Sequence, residues 1–296
     1  HPEEVRTVIR DLYEKFGIRT ILGNWLGFWE YPCPLYADKA FEDRVAKEVL
    51  DMVKLYKDEP GILLWILGNE NNLSCAGRVR PWSTDEIDKE PDPQKRKIMR
   101  YEKYYSFVNR LSKEIHAIDK NHPVAMGNGE LLGLENANRV CPDVDILACI
   151  IYRGKTFGYV FKGLRATFDR PLLLAEFGAD SYNAFTKKED PDMQSYFLES
   201  QWKEIYSNLA NVPNGAGNCI GGTVFEWTDE WWKHEDSNME AWGVHDTVST
   251  WSNGGYYVHN NMWNSAKYSP CTETLYAWSF DQWHVVARMN NKTGDG

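Results

Sequence analysis

Short, nearly unbroken apolar runs recur along this chain at 18–25, 61–70, 122–129, 144–152, 170–178 and 221–232. Runs of this length read as strands buried on both faces, which occur in parallel sheets covered by helices. The segments between them have helical period instead. Val5, Ile9, Leu12, Tyr13 and Phe16 recur at three- and four-residue steps and stop at Gly17. Val45, Val49, Met52, Val53 and Tyr56 repeat the pattern before Pro60. Ile98, Tyr105, Val108, Leu111, Ile115 and Ile118 mark a long helix, and Met193, Phe197, Trp202, Ile205 and Leu209 another. Strand and helix in alternation predict an α/β fold with a parallel sheet.

Two architectures meet that requirement. An open doubly wound sheet normally carries a glycine-rich phosphate-binding turn, and no G-x-G-x-x-G or Walker sequence follows any run here. That makes a nucleotide-dependent α/β enzyme a poor fit. The other architecture is a (β/α)₈ TIM barrel, of which six of eight strands are readable. Six alone would leave two unpaired edges. Since the chain starts on a helix, the expectation is that two further strands precede His1 and that 1–296 is part of a longer polypeptide. Residues 1–255 form the expected barrel domain. The stretch 256–296 yields no assignable element and is read as a C-terminal extension.

A formal charge of −10 argues against nucleic acid or anionic membrane as partner, both of which need basic surface. No run approaches the roughly 20 apolar residues of a membrane-spanning helix. The six cysteines include no C-x-x-C pair, and no H-E-x-x-H occurs, so neither a metal nor another cofactor is expected. Sequons stand at Asn72-Leu73-Ser74 and Asn291-Lys292-Thr293, and neither decides the compartment. The 13 Trp are numerous and many lie near Asp, Glu or Gly, which suits a carbohydrate ligand, although most aromatics fill a core.

In a TIM barrel the chemistry sits where strands end. Glu70 closes the run Ile62–Gly68 after Asn69, and Glu176 closes Leu172–Ala175. A carboxylate straight after a buried strand is costly unless paired or placed in a cleft. Two on one sheet could face each other, as glycoside hydrolysis requires: one carboxyl protonates the leaving oxygen and the other attacks the anomeric carbon or activates water.

The string Trp65-Ile66-Leu67-Gly68-Asn69-Glu70 resembles the acid/base signature of glycoside hydrolase family 2 and, more broadly, of its clan of retaining (β/α)₈ glycosidases. Pro171-Leu172-Leu173-Leu174-Ala175-Glu176-Phe177-Gly178 resembles that family's nucleophile strand, and Gly221-Gly222-Thr223-Val224-Phe225-Glu226-Trp227 its last barrel strand. The resemblance covers roughly residues 1–250, and the spacing of the two Glu leaves room for two strand–helix units between them. The resemblance implies a retaining glycosidase for β-linked carbohydrate with Glu70 as general acid/base and Glu176 as nucleophile. It implies that Asn69 binds the sugar hydroxyl next to the anomeric carbon, that Tyr152 orients the nucleophile, and that Trp227 lies under the sugar. Trp25, another strand-end aromatic, joins the substrate-binding candidates. The acid must stay protonated near neutral pH, for which a nearby anionic nucleophile is the simplest cause. The chain departs from the family in lacking the preceding β-sandwich domains and the first two strands. Its loop 228–236 is unusually rich in aromatics and acids, and reads either as a lining of the plus subsites or as a solvated charged loop. A transglycosylase with the same Glu pair, or a non-catalytic carbohydrate-binding protein on this scaffold, are the alternatives.

Overall fold

The structure is a computed structural model that describes residues 2–28, 35–77, 82–153, 155–178, 182–183, 188–189 and 191–225. In chain order its elements are α1 (Pro2–Phe16), β1 (Thr20–Asn24), α2 (Lys39–Tyr56), β2 (Ile62–Leu67), α3 (Asn72–Cys75), α4 (Asp85–Asp88), α5 (Pro93–Ile118) and β3 (Val124–Gly129). There follow α6 (Leu134–Val140), β4 (Ile146–Ile150), α7 (Val160–Thr167), β5 (Leu172–Phe177), β6 (Tyr182–Asn183), β7 (Lys188–Glu189), α8 (Pro191–Ser207) and β8 (Cys219–Val224). All six apolar runs contain a strand. The order in the main sheet is β1-β2-β3-β4-β5-β8, while β6 and β7 form a separate antiparallel pair. The architecture is therefore α/β with a six-stranded parallel sheet, in agreement with the sequence at that level.

Two compact units divide the chain, His1–Ile150 with Leu164–Leu173, and Ile151–Gly163 with Leu174–Gly296. In the first, β1 through β4 pair in parallel, with Asn24 opposite Leu67, Leu67 opposite Met126, and Gly129 opposite Ile150. Every residue of β3 and β4 is buried, which explains why these runs show no polar alternation. Helix α2 begins where the Asp38 carboxylate accepts the Phe41 N–H at 2.7 Å. Helix α5 begins with Pro93 behind Asp92, which caps Gln94 N–H at 2.8 Å. It buries Tyr101, Tyr104, Tyr105, Phe107, Val108, Leu111 and Ile115, a stripe at helical spacing, whereas Ile98 is 41% exposed and stands off it. Helix α1 ends at Gly17, where φ is +68°, the left-handed value that favours glycine.

Below the strands of this unit lies a buried polar knot. Asp119 accepts Trp65 Nε1–H at 2.8 Å and Asn121 N–H at 2.9 Å, and His122 Nδ1 lies 2.8 Å from the same carboxylate. Burial pushes the Asp119 carboxyl up, but the Asn121 N–H, His122 and Trp65 outweigh it and hold the group below its ordinary value.

In the second unit Ile151 N–H reaches Glu176 O at 3.0 Å on one side of β5, and Phe225 N–H reaches Phe177 O at 2.9 Å on the other. Phe177 is fully buried and meets Phe157 and Trp202 edge-on, at 5.9 and 5.1 Å between ring centroids. Among the described residues no helix is long and apolar enough to cross a membrane.

Candidate active site

Strand β2 leaves the sheet at Gly68, where φ is +80°. A Cβ there would lie 2.7 Å from the Tyr104 hydroxyl and 2.9 Å from Asn71 Oδ1, so only glycine fits. Gly127 on β3 is as confined, because a Cβ would sit 2.2 Å from the Gly68 carbonyl oxygen. Past this crossing the chain delivers Asn69 and Glu70, both half-buried. Glu70 itself has a left-handed backbone, φ +61°. For a non-glycine residue that costs about 1–3 kcal/mol and persists only where surroundings hold it.

Two asparagines do the holding. Asn71 is fully buried. Its Oδ1 accepts the Asn69 N–H at 2.6 Å, and its Nδ2 donates to Trp25 O at 2.9 Å and to the Tyr36 hydroxyl at 2.6 Å. Tyr36 passes the chain on to Leu26 O at 3.1 Å. One amide thus ties the loop after β1 to the loop after β2, bringing Trp25, Asn69 and Glu70 onto one polar frame. The Trp25 ring remains 48% exposed. Asn72, also fully buried, receives the Gly129 N–H at Oδ1 and donates from Nδ2 to Gly129 O, both at 2.8 Å. Its side chain pairs with β3 as a strand residue would, two residues after Glu70. The first sequon is consumed in this pairing, since a buried amide with both ends bonded has no room for a glycan.

In the second unit Glu176 is half-buried near the end of β5. Successive strand residues point to opposite faces, so Phe177 anchors in the core while Glu176 faces the other way. Tyr152 donates its hydroxyl to Glu176 Oε2 at 2.6 Å, a length typical of a hydrogen bond to a charged acceptor. Arg153 Nη1 donates to Tyr152 O at 3.2 Å. The following loop is pinned to α8 by Glu204 Oε2, which accepts the Phe157 N–H at 2.8 Å. Burial pushes the Glu204 carboxyl up, opposed by the Phe157 N–H and Thr156.

Of the candidates read from sequence, Trp25, Asn69 and Glu70 share a frame in the first unit, and Tyr152 and Glu176 are bonded in the second. Trp227 and the loop 228–236 lie outside the described residues. Asn71, Asn72, Gly129 and Glu204 were not anticipated. The available signal was the amide pair directly behind Asn69-Glu70, since asparagines at a strand end satisfy backbone groups of the turn. Among the described residues no group of three or more His, Cys, Asp or Glu could hold a metal ion.

No family model matches the sequence, and no curated protein does. Solved structures do share the fold. A calcium-binding mutant of Bacteroides uniformis β-glucuronidase 2 is 16% identical with a TM-score of 0.52, over 75% of this chain and 25% of that one. A β-galactosidase from the psychrophilic Marinomonas ef1 is 10% identical with a TM-score of 0.51, over 77% of this chain and 47% of that one. An agarase is 14% identical with a TM-score of 0.50, over 74% of this chain and 39% of that one. The chain thus spans between a quarter and just under half of these proteins. At such identities the likeness is one of fold.

Proposed function

We propose that this chain carries the catalytic pair of a retaining glycoside hydrolase for β-linked carbohydrate, on strands that belong to a (β/α)₈ barrel. The observation that carries the reading is the 2.6 Å hydrogen bond from the Tyr152 hydroxyl to Glu176 Oε2. A strand-end carboxylate whose one oxygen is held by a phenol presents its other oxygen in a fixed direction, as a nucleophile needs. Glu70, on a loop fixed by two buried amides, is the matching proton donor. The names of two fold neighbours, β-glucuronidase and β-galactosidase, agree with a β-linked substrate.

In this mechanism Glu70 protonates the glycosidic oxygen while Glu176 attacks the anomeric carbon, and the C–O bond to the leaving group breaks. Glu70, now a carboxylate, takes a proton from water, and that water displaces Glu176 with a second inversion. Such a pair works at a carboxyl separation of about 5–5.5 Å. Asn69 binds the neighbouring sugar hydroxyl, and Trp25 and Trp227 offer ring faces to the sugar.

The test is incubation of the full chain with 2-deoxy-2-fluoroglycosyl fluorides of gluco, galacto and glucurono configuration, followed by peptide mapping. A glycosyl adduct on Glu176 is expected. Glu176→Gln abolishes turnover of aryl β-glycosides. Glu70→Ala loses about 10²–10⁴-fold on poor leaving groups and is accelerated by azide on good ones, giving the β-azide. Labelling elsewhere refutes the assignment, and an inverted azide from Glu70→Ala swaps the roles. Sugar binding without any turnover establishes the non-catalytic alternative.

A further inference from the structure

The Glu70 side chain rests on Gly129. A Cβ at Gly129 would lie 3.0 Å from Glu70 Oε1, 3.1 Å from its Cβ and 3.2 Å from its Cγ. The side chain therefore runs over bare backbone at the end of β3. Nothing in the backbone of Gly129 demands glycine, since it pairs as an ordinary strand residue opposite Ile150 and has no positive φ. A side chain here would press on Glu70, which would have to give by a few tenths of an ångström.

That strand end would otherwise lack a neighbour. The register of β2 with β3 stops at Leu67 and Met126, because β2 turns away at Gly68. Gly129 then lies beyond the last strand partner on that side. Asn72 fills the place, accepting the Gly129 N–H and donating to its carbonyl at 2.8 Å each. A second donation, to Leu132 O at 3.1 Å, extends the grip to the loop beyond. Asn72 lies two residues after Glu70, inside the turn closed where Leu73 N–H donates to Glu70 O at 2.8 Å. The backbone that sets the left-handed Glu70 and the surface under its carboxyl are thus locked to each other by a single amide.

We infer that Asn72 and Gly129 are positioning residues for Glu70: a Cβ-free seat, clamped by an asparagine that substitutes for a missing strand, fixes where the proton is delivered. The inference rests on the reading of Glu70 as proton donor. An acid displaced by even about 1 Å loses efficiency on the order of 10²-fold in the step it assists. Leaving groups that need little protonation escape that loss.

Gly129→Ala is the decisive variant, because the three atoms nearest its methyl group all belong to the Glu70 side chain and its backbone tolerates alanine. The expected result is a folded protein whose kcat on alkyl and phenyl β-glycosides falls at least about tenfold. Its KM stays within about threefold, and the loss shrinks to less than about threefold on dinitrophenyl glycosides. Asn72→Ala should show the same leaving-group dependence; if it does not fold, Gly129→Ala decides alone. Equal loss on all leaving groups, or no loss, overturns the inference. A second readout needs no turnover: carboxyl NMR of ¹³C-glutamate protein, with the Glu70 signal assigned from Glu70→Gln. Gly129→Ala should change the titration curve of that signal, and superimposable titrations in wild type and variant overturn the inference. Absence of all glycosidase turnover in wild type refutes the proposed function, and the NMR comparison still decides whether Gly129 seats Glu70.

Discussion

Replacing Tyr152 by Phe removes one oxygen atom and leaves the ring in place. That oxygen donates to Glu176 Oε2 at 2.6 Å. A hydrogen bond to an ionised acceptor contributes about 1.5–3 kcal/mol, which is about 10- to 150-fold in rate if all of it acts in the transition state. In the mechanism proposed above, with Glu176 as nucleophile, the two chemical steps feel the loss differently. When the glycosyl-enzyme forms, Glu176 loses its charge, so the phenol is not needed to stabilise the product of that step. When the intermediate breaks down, the carboxylate departs as an anion, and the phenol stabilises the developing charge. The second step should therefore slow more than the first. Tyr152→Phe is expected to lower kcat about 10- to 100-fold and to lower KM with it, because the glycosyl-enzyme accumulates. Stopped-flow release of dinitrophenol should show a burst equal to the enzyme concentration where wild type shows less. The pH profile supplies the sign. A lost donor to the charged form favours the protonated carboxyl, so the acidic limb of kcat/KM should move to higher pH. A variant with unchanged kcat, unchanged acidic limb and no burst would show that Tyr152 does not stabilise the Glu176 carboxylate.

Two further outcomes concern stability. Asp119→Asn keeps the shape but removes the charge that Trp65, Asn121 and His122 share. The folded carboxyl lies below its ordinary value, so its stabilisation is present above the unfolded pKa of about 3.9 and is lost as pH falls through the lower folded value. The variant should be about 2–4 kcal/mol less stable at pH 7, with the gap narrowing below about pH 4; urea unfolding at pH 7 and pH 3 checks this, and an equal gap at both would contradict it. Gly127→Ala drives a methyl to 2.2 Å from the Gly68 carbonyl, a backbone atom that cannot swing aside. It should cost about 1–3 kcal/mol or more in the same assay, and a neutral effect would mean that the β2–β3 crossing is looser than the geometry states.

Local pattern alone placed the main elements. Burial on both faces leaves a strand no reason to alternate, so 122–129 and 144–152 could be read as parallel strands without knowing their partners. Helical period located α1, α2, α5 and α8 in the same way. It did not reveal α6 and α7, whose seven and eight residues span too few turns for a period to stand out. Glu70 and Glu176 were legible because a carboxylate is an anomaly at the end of an apolar run. Their supports were not. Asn72 acts on Gly129, which lies 57 residues away in sequence, and an asparagine behind a strand looks like any turn residue until the partner strand is in place. Tyr152 is an ordinary aromatic by composition, and it becomes a donor to Glu176 only when the end of β4 is laid beside β5. Sequence thus determined which residues were chemically out of place, through local polarity and period. The tertiary structure supplies what holds them: Asn72 on Gly129 and Tyr152 on Glu176 are hydrogen bonds between segments that only the sheet brings within 3 Å.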